Sequence, residues 1–221
     1  MRVQLAVVMG VLLPGVAAAW NHEGALFAPE DRPVTYWVED QDVEALDPGV
    51  TLEGIQAAVN VWDAVECGAL DLTMGGRLPE ADHGYEDEDL PLTFGVTELA
   101  AGVLATTVRN TKEEPALFQW GGLEYRAIRS SHVLIDGAGP WTTDSLIANG
   151  LCEQEYSLQG ILTHEVGHAL GLGHSCDPND ENQYCGDEEL VEATMADRIP
   201  LECDAELSDL SVDDRRSLRA L

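Results

Sequence analysis

Apolar residues recur along this chain at two periods, and the changes of period mark its elements. In "PVTYWVED", Val34, Tyr36 and Val38 alternate with their neighbours, the two-residue period of a strand with one buried face. After Pro48-Gly49 the period lengthens. Leu52, Ile55, Val59 and Trp62 recur at three- and four-residue steps, which predicts an amphipathic helix over residues 51–65. "LDLTM" (70–74), "LPLTFGV" (90–96), "GVLATTVRN" (102–110) and "SHVLID" (131–136) then read as strands, the first two separated by the acidic "PEADHGYEDED". A polar, Gly-rich stretch leads to a second helix that opens at Ser157 as N-cap and buries Leu158, Ile161, Leu162 and Ala169. In the closing "LSVDDRRSLRAL", Ser211 and Asp214 have the spacing of a capping box, which opens a third helix running to the terminus. No repeat and no long linker interrupts this order, so it predicts one α/β (α+β) domain built on a mixed sheet.

The first residues change the picture of where the chain works. "MRVQLAVVMGVLLPGVAAAW" has Arg2, an apolar run over residues 3–13, a Pro-Gly break and three alanines, the layout of a secretory signal peptide cut after Ala19. The run is too short to span a bilayer. Residues 1–19 are therefore expected to be removed, and residues 20–221 to form an exported domain with no membrane insertion. Net charge is −30, from 41 acidic against 11 basic residues. Such a surface repels phosphate backbones, which argues against nucleic acid as a partner. Export permits disulfides among Cys67, Cys152, Cys176, Cys185 and Cys203. Five cysteines allow two bridges and a leftover thiol. Cys176 and Cys185, flanking a short polar loop, are the expected pair.

The scarcest titrating residue is also the most clustered. Of six histidines, His164, His168 and His174 fall within "THEVGHALGLGHS". Residues four apart share a helix face, so His164 and His168 present two imidazoles to one point, as a zinc site needs. Gly171 stands where a helix ends if the chain turns through a left-handed conformation, and that turn lets His174 return as third ligand. Glu165 lies about 100° round the helix from His164. From there it reaches a zinc-activated water without occupying the metal, the position of a general base in peptide hydrolysis. A core holding three histidines and a glutamate without metal would carry unpaired polar groups at a cost.

"HEVGHALGLGHS" resembles the zinc signature of the metzincins, and Ser175 after the third histidine resembles the matrixin branch. The resemblance implies a methionine in a tight turn beneath the zinc. Met195 in "EATMAD" fits it, 21 residues after His174. It covers roughly residues 34–221 and implies a twisted five-stranded mixed sheet with an antiparallel edge strand, a zinc helix and a C-terminal helix. "GVLATTVRN" would be that edge strand and would bind an extended peptide, with a pocket wall around "RIPLE". The compact, exported layout resembles bacterial matrixin-like proteases. Departures are visible too. The structural zinc of vertebrate-type matrixins lacks its partners here, so His132 in "SHVLID" is expected to be structural or on the surface, and His83 is unassigned. No "PRCGxPD" switch is present, and Asp197 stands where many metzincins have Tyr.

These readings converge on a secreted zinc metalloendopeptidase, acting as a monomer on protein or peptide bound as an extended strand, with one catalytic Zn²⁺. "CDPNDENQYCGDEE" (176–189) is rich in oxygen donors that suit Ca²⁺, though it lacks the spacing of an EF-hand loop. Two other readings stand beside the protease: a zinc amidase acting on a non-protein polymer, and a non-catalytic binding module in which the metal holds the fold.

Overall fold

The computed structural model describes residues 24–66, 70–78, 90–113, 117–120, 123–175, 192–197 and 201–219. The expected signal segment, Cys67, His83, the acidic loop around it, and the stretch from Cys176 to Cys185 lie outside the described residues. A short strand, β1 (Ala25–Leu26), leads through a 3₁₀ turn to β2 (Val34–Glu39). As the alternation predicts, β2 buries Val34, Tyr36 and Val38. Helix α1 (Val50–Asp63) follows and buries Ile55, Ala58, Val59 and Trp62 along one stripe. Leu52, at the edge of that stripe, is only partly buried.

Strands β3 (Leu72–Leu78) and β4 (Leu92–Thr97) flank β2, both parallel to it. Next come β5 (Ala105–Thr111), β6 (Leu117–Trp120) and the long β7 (Leu123–Asp136). The C-terminal half of β7 runs parallel to β4 and antiparallel to β5. The order β3-β2-β4-β7-β5 is thus four parallel strands with one antiparallel strand at the edge, as the metzincin resemblance implies. The N-terminal half of β7 pairs instead with β6 and with β1. Strand β7 extends well beyond the expected "SHVLID", to 14 residues. Its earlier part exposes Leu123, Glu124 and Arg126, buries Tyr125 and Ala127, and pairs with both β6 and β1.

Beyond the sheet lie β8 (Trp141–Thr142), helix α2 (Asp144–Ala148) and β9 (Tyr156–Ser157), where β8 and β9 pair with each other. Helix α3 (Leu158–Ala169) then packs against α1, β5 and β7. Its start is capped as predicted, the Ser157 hydroxyl accepting from the Gly160 amide at 2.9 Å. Trp62 of α1 donates its indole N–H to the Thr163 carbonyl at 2.8 Å and locks the two helices together. The last helix, α4 (Val212–Arg219), carries a reciprocal capping box. The Asp214 carboxylate accepts from the Ser211 amide at 2.8 Å, and the Ser211 hydroxyl from the Asp214 amide at 3.3 Å. No described helix is long and apolar enough to cross a membrane. A Cys152–Cys203 disulfide, compatible with an extracellular protein, joins the approach to α3 to the segment before α4. The expected Cys176–Cys185 pair lies outside the described residues.

Candidate metal centre

The predicted helix end is met in detail. Gly171 has φ +104°, its amide bonds to the His168 carbonyl at 2.9 Å, and the Leu172 amide bonds to the Gly167 carbonyl at 3.0 Å. These two bonds form a Schellman turn, in which Gly171 supplies the left-handed residue. A Cβ at Gly171 would also lie 2.1 Å from the Ala25 carbonyl oxygen, so the position forbids side chains on two counts. The turn reverses the chain and carries His174 back toward α3.

Three imidazoles meet there. His168 Nε2 lies 3.0 Å from His164 Nε2 and 3.1 Å from His174 Nε2. The other ring nitrogens decide what those contacts mean. His164 Nδ1 is 2.6 Å from the Thr194 carbonyl oxygen, and His168 Nδ1 is 2.9 Å from that of Leu172. A carbonyl oxygen only accepts, so both Nδ1 atoms carry the proton, and in the neutral ring Nε2 is left as an acceptor. Acceptor nitrogens turned toward one another repel unless a cation sits among them. Zn–N bonds of about 2.0–2.1 Å at tetrahedral angles place ligand nitrogens about 3.3 Å apart, close to the spacing seen. The residues present therefore fit a zinc ion. The backbone carbonyls fix the tautomer and the ring planes, as second partners of metal-bound histidines commonly do.

Burial keeps His164 and His168 neutral. Desolvation pushes His168 down to about 3, with the neighbouring His164 adding to the shift. His164 is lowered for the same first reason, against a partial restoring effect of its bond to Thr194. Neutral imidazole is the metal-binding form. Glu165 goes the other way. It is only 9% exposed, and desolvation raises its carboxyl above the ordinary range, opposed by a hydrogen bond from Thr107 and by His174.

Met195 lies in a tight turn closed by the Ala196 amide on the Ala193 carbonyl at 3.1 Å. It is buried, and a Cβ on Gly167 would come within 2.2 Å of its sulfur, so it packs directly against the histidine helix. The Met195 carbonyl accepts from the Ser175 amide at 2.8 Å, which ties the turn to the segment just past His174. Asp214, fully buried at the head of α4, accepts from the amides of Thr194 at 2.9 Å and Met195 at 3.1 Å. One carboxylate thus caps a helix and holds the turn whose carbonyl orients His164.

The matrixin family model matches residues 121–184. That span contains His164, Glu165, His168, Gly171 and His174 and supports a matrixin-like family, hence a zinc metallopeptidase one, for the segment that builds the cluster. No curated protein matches the chain. Within this matrixin-like frame His132 is buried rather than on the surface. Its Nδ1 is 2.7 Å from the Thr93 hydroxyl and its Nε2 is 3.2 Å from that of Ser130. Of the expected pocket wall, Leu201 and Glu202 are exposed and residues 198–200 lie outside the described residues, as does the oxygen-donor-rich segment 176–189.

Thr107, Thr194 and Leu172 were not legible as site residues. Two of them act through backbone carbonyls, which carry no residue signature. Asp214 was legible as a cap and not as a support of the turn, because its second set of partners lies 19 and 20 residues away.

Proposed function

We propose that this chain is a secreted zinc metalloendopeptidase of the matrixin branch, similar in its compact layout to bacterial members. The observation that carries the reading is the convergence of three Nε2 atoms beside a buried carboxylate. His164, His168 and His174 would hold the metal as neutral imidazoles. A zinc ion so held supplies a Lewis acid that acidifies water and polarises a carbonyl.

The remaining work falls to the chain's own groups. Glu165 follows the first histidine directly and is too buried for its charge to be well solvated, so its carboxylate is a stronger base than one in water. It takes a proton from the attacking water and passes it to the departing amine nitrogen. Its pKa, raised by burial, is nearer to neutrality and suits both transfers. Among the described residues β5 pairs with β7 alone, leaving its outer edge open. An extended peptide adding a strand to that edge would gain backbone hydrogen bonds whatever its sequence. This open edge favours a peptide over the amide of a wall polymer, which has no strand to add. Glu165 argues against a metal that only holds the fold, because a structural site has no use for a base.

Hydrolysis of denatured casein by the mature chain, with and without chelator and with zinc measured on the same sample, tests the proposal. Cleavage that stops with chelator and returns with zinc is expected. One bound zinc without cleavage would favour a non-protein substrate or a structural metal, and no zinc would overturn the reading.

A further inference from the structure

Thr107 stands in the middle of β5, and its hydroxyl oxygen lies 2.6 Å from Glu165 Oε2 and 3.0 Å from the Glu165 carbonyl oxygen. Both acceptors belong to one residue 58 positions further along the chain. An ionised carboxylate and a carbonyl only accept, so the hydroxyl is the donor to both. Threonine is β-branched and restricted at χ1, which gives that donor a fixed direction.

The ladder shows what the rest of Thr107 faces. The Asp136 amide donates to the Leu104 carbonyl at 2.9 Å, which makes Leu104 and Asp136 a hydrogen-bonded pair. Such pairs alternate along antiparallel strands with pairs that share no bond. Thr106 opposite Leu134 and Val108 opposite His132 are therefore bonded pairs, and Thr107 opposite Val133 is not. The N–H and C=O of Thr107 point away from β7, to the open edge. Its side chain points toward α3, while those of Thr106 and Val108 take the other face of the strand.

We infer that Thr107 is a positioning residue, which holds the Glu165 carboxylate in register with a peptide laid along the outer edge of β5. The inference rests on the protease reading above. The same residue would contact the substrate through its backbone and the base through its hydroxyl, so the distance between them is set within a single residue. By engaging Oε2 the hydroxyl restricts the carboxylate to one orientation and leaves Oε1 for the water. A free glutamate at the end of three side-chain torsions would have to find that orientation in each turnover.

The test compares the zinc-loaded mature chain with its Thr107→Val and Thr107→Ser variants on a fluorogenic peptide long enough to lie along β5. Valine keeps the shape and removes the donor. The expected result is a fall in kcat of about tenfold or more with KM within about twofold, since the contact matters once the water must be oriented. Serine restores the donor and should bring kcat back to within about threefold of the parent. Zinc content should not change across the set. Unchanged kcat in the valine variant would overturn the inference, as would a serine variant no better than valine. Crystal structures of parent and Thr107→Val read the same contact without turnover. Alternative Glu165 rotamers in the variant would support the inference, and an unmoved carboxylate would overturn it. A parent that binds zinc and cleaves no peptide would instead overturn the protease reading, leaving the crystallographic comparison to decide on Thr107.

Discussion

Replacing Asp214 with asparagine should weaken both the fold and the metal site, although it changes one buried atom and almost no volume. Oδ2 accepts from the Thr194 and Ser211 amides, and Oδ1 accepts from the Met195 amide. An asparagine can present its oxygen at only one of these places, and it loses least with the oxygen where Oδ2 stands, its NH₂ then facing the Met195 amide. A hydrogen bond to a charged group is worth about 1.5–3 kcal/mol, so losing one costs roughly 1.5–3 kcal/mol. In a domain of this size each kcal/mol lowers Tm by about 2–4 °C, which predicts a fall of about 3–12 °C. The disturbed Met195 directly follows Thr194, the residue whose carbonyl orients His164. Loss of such an outer partner commonly weakens a metal about 10–100-fold, and the lower end is expected here because the change is one residue further out. Differential scanning calorimetry on the metal-free chain would read the first effect, and competition with a zinc-sensitive dye the second. Ser211→Ala is the control. It removes the other half of the capping box, should cost only about 1 kcal/mol and should leave zinc affinity alone. An Asp214→Asn variant that melts within 2 °C (~1 kcal/mol) of the parent and binds zinc as tightly would refute the argument.

Glu165→Gln should retain zinc, because none of the three converging nitrogens is its own, while turnover falls by several orders of magnitude; residual turnover near the parent's would remove the base from Glu165. Gly171→Ala should destabilise the chain by roughly 2–5 kcal/mol, from the left-handed backbone and the collision with the Ala25 carbonyl, with urea unfolding as the measure. In the metal-free chain His164 and His168 titrate below their ordinary value of 6.5. Below that pH the unfolded chain takes up protons that the folded chain refuses. Stability should then be complete above about pH 6.5 and fall on acidification by up to about 1.4 kcal/mol per pH unit for each ring, toward the folded value of His168 near 3. Glu165, raised by burial, works in the opposite sense nearer the carboxylate range, so the slope is best measured just below pH 6.5 by denaturant titration. A flat profile there would mean that the rings are not held neutral by the fold.

What the sequence by itself determined is what a few neighbouring residues can decide. The histidines at 164 and 168 share a face because a helix repeats every 3.6 residues, and Gly171 ends that helix because left-handed backbone suits glycine. Ser157 and the Ser211–Asp214 pair mark helix starts for the same local reason. The alternation in residues 34–38 and the stripe in α1 likewise reflect periods set by backbone geometry alone. Only the tertiary structure decided which strands lie beside β7, since alternation along a strand says which face is buried and not which neighbour it bonds. It also decided the partners of the site. Thr107 reaches Glu165 across 58 residues, Asp214 reaches Thr194 across 20, and Cys152 meets Cys203 across 51. Contacts at such separations are selected by how whole elements pack. The side chains that make them look, in the sequence, like any other threonine, aspartate or cysteine.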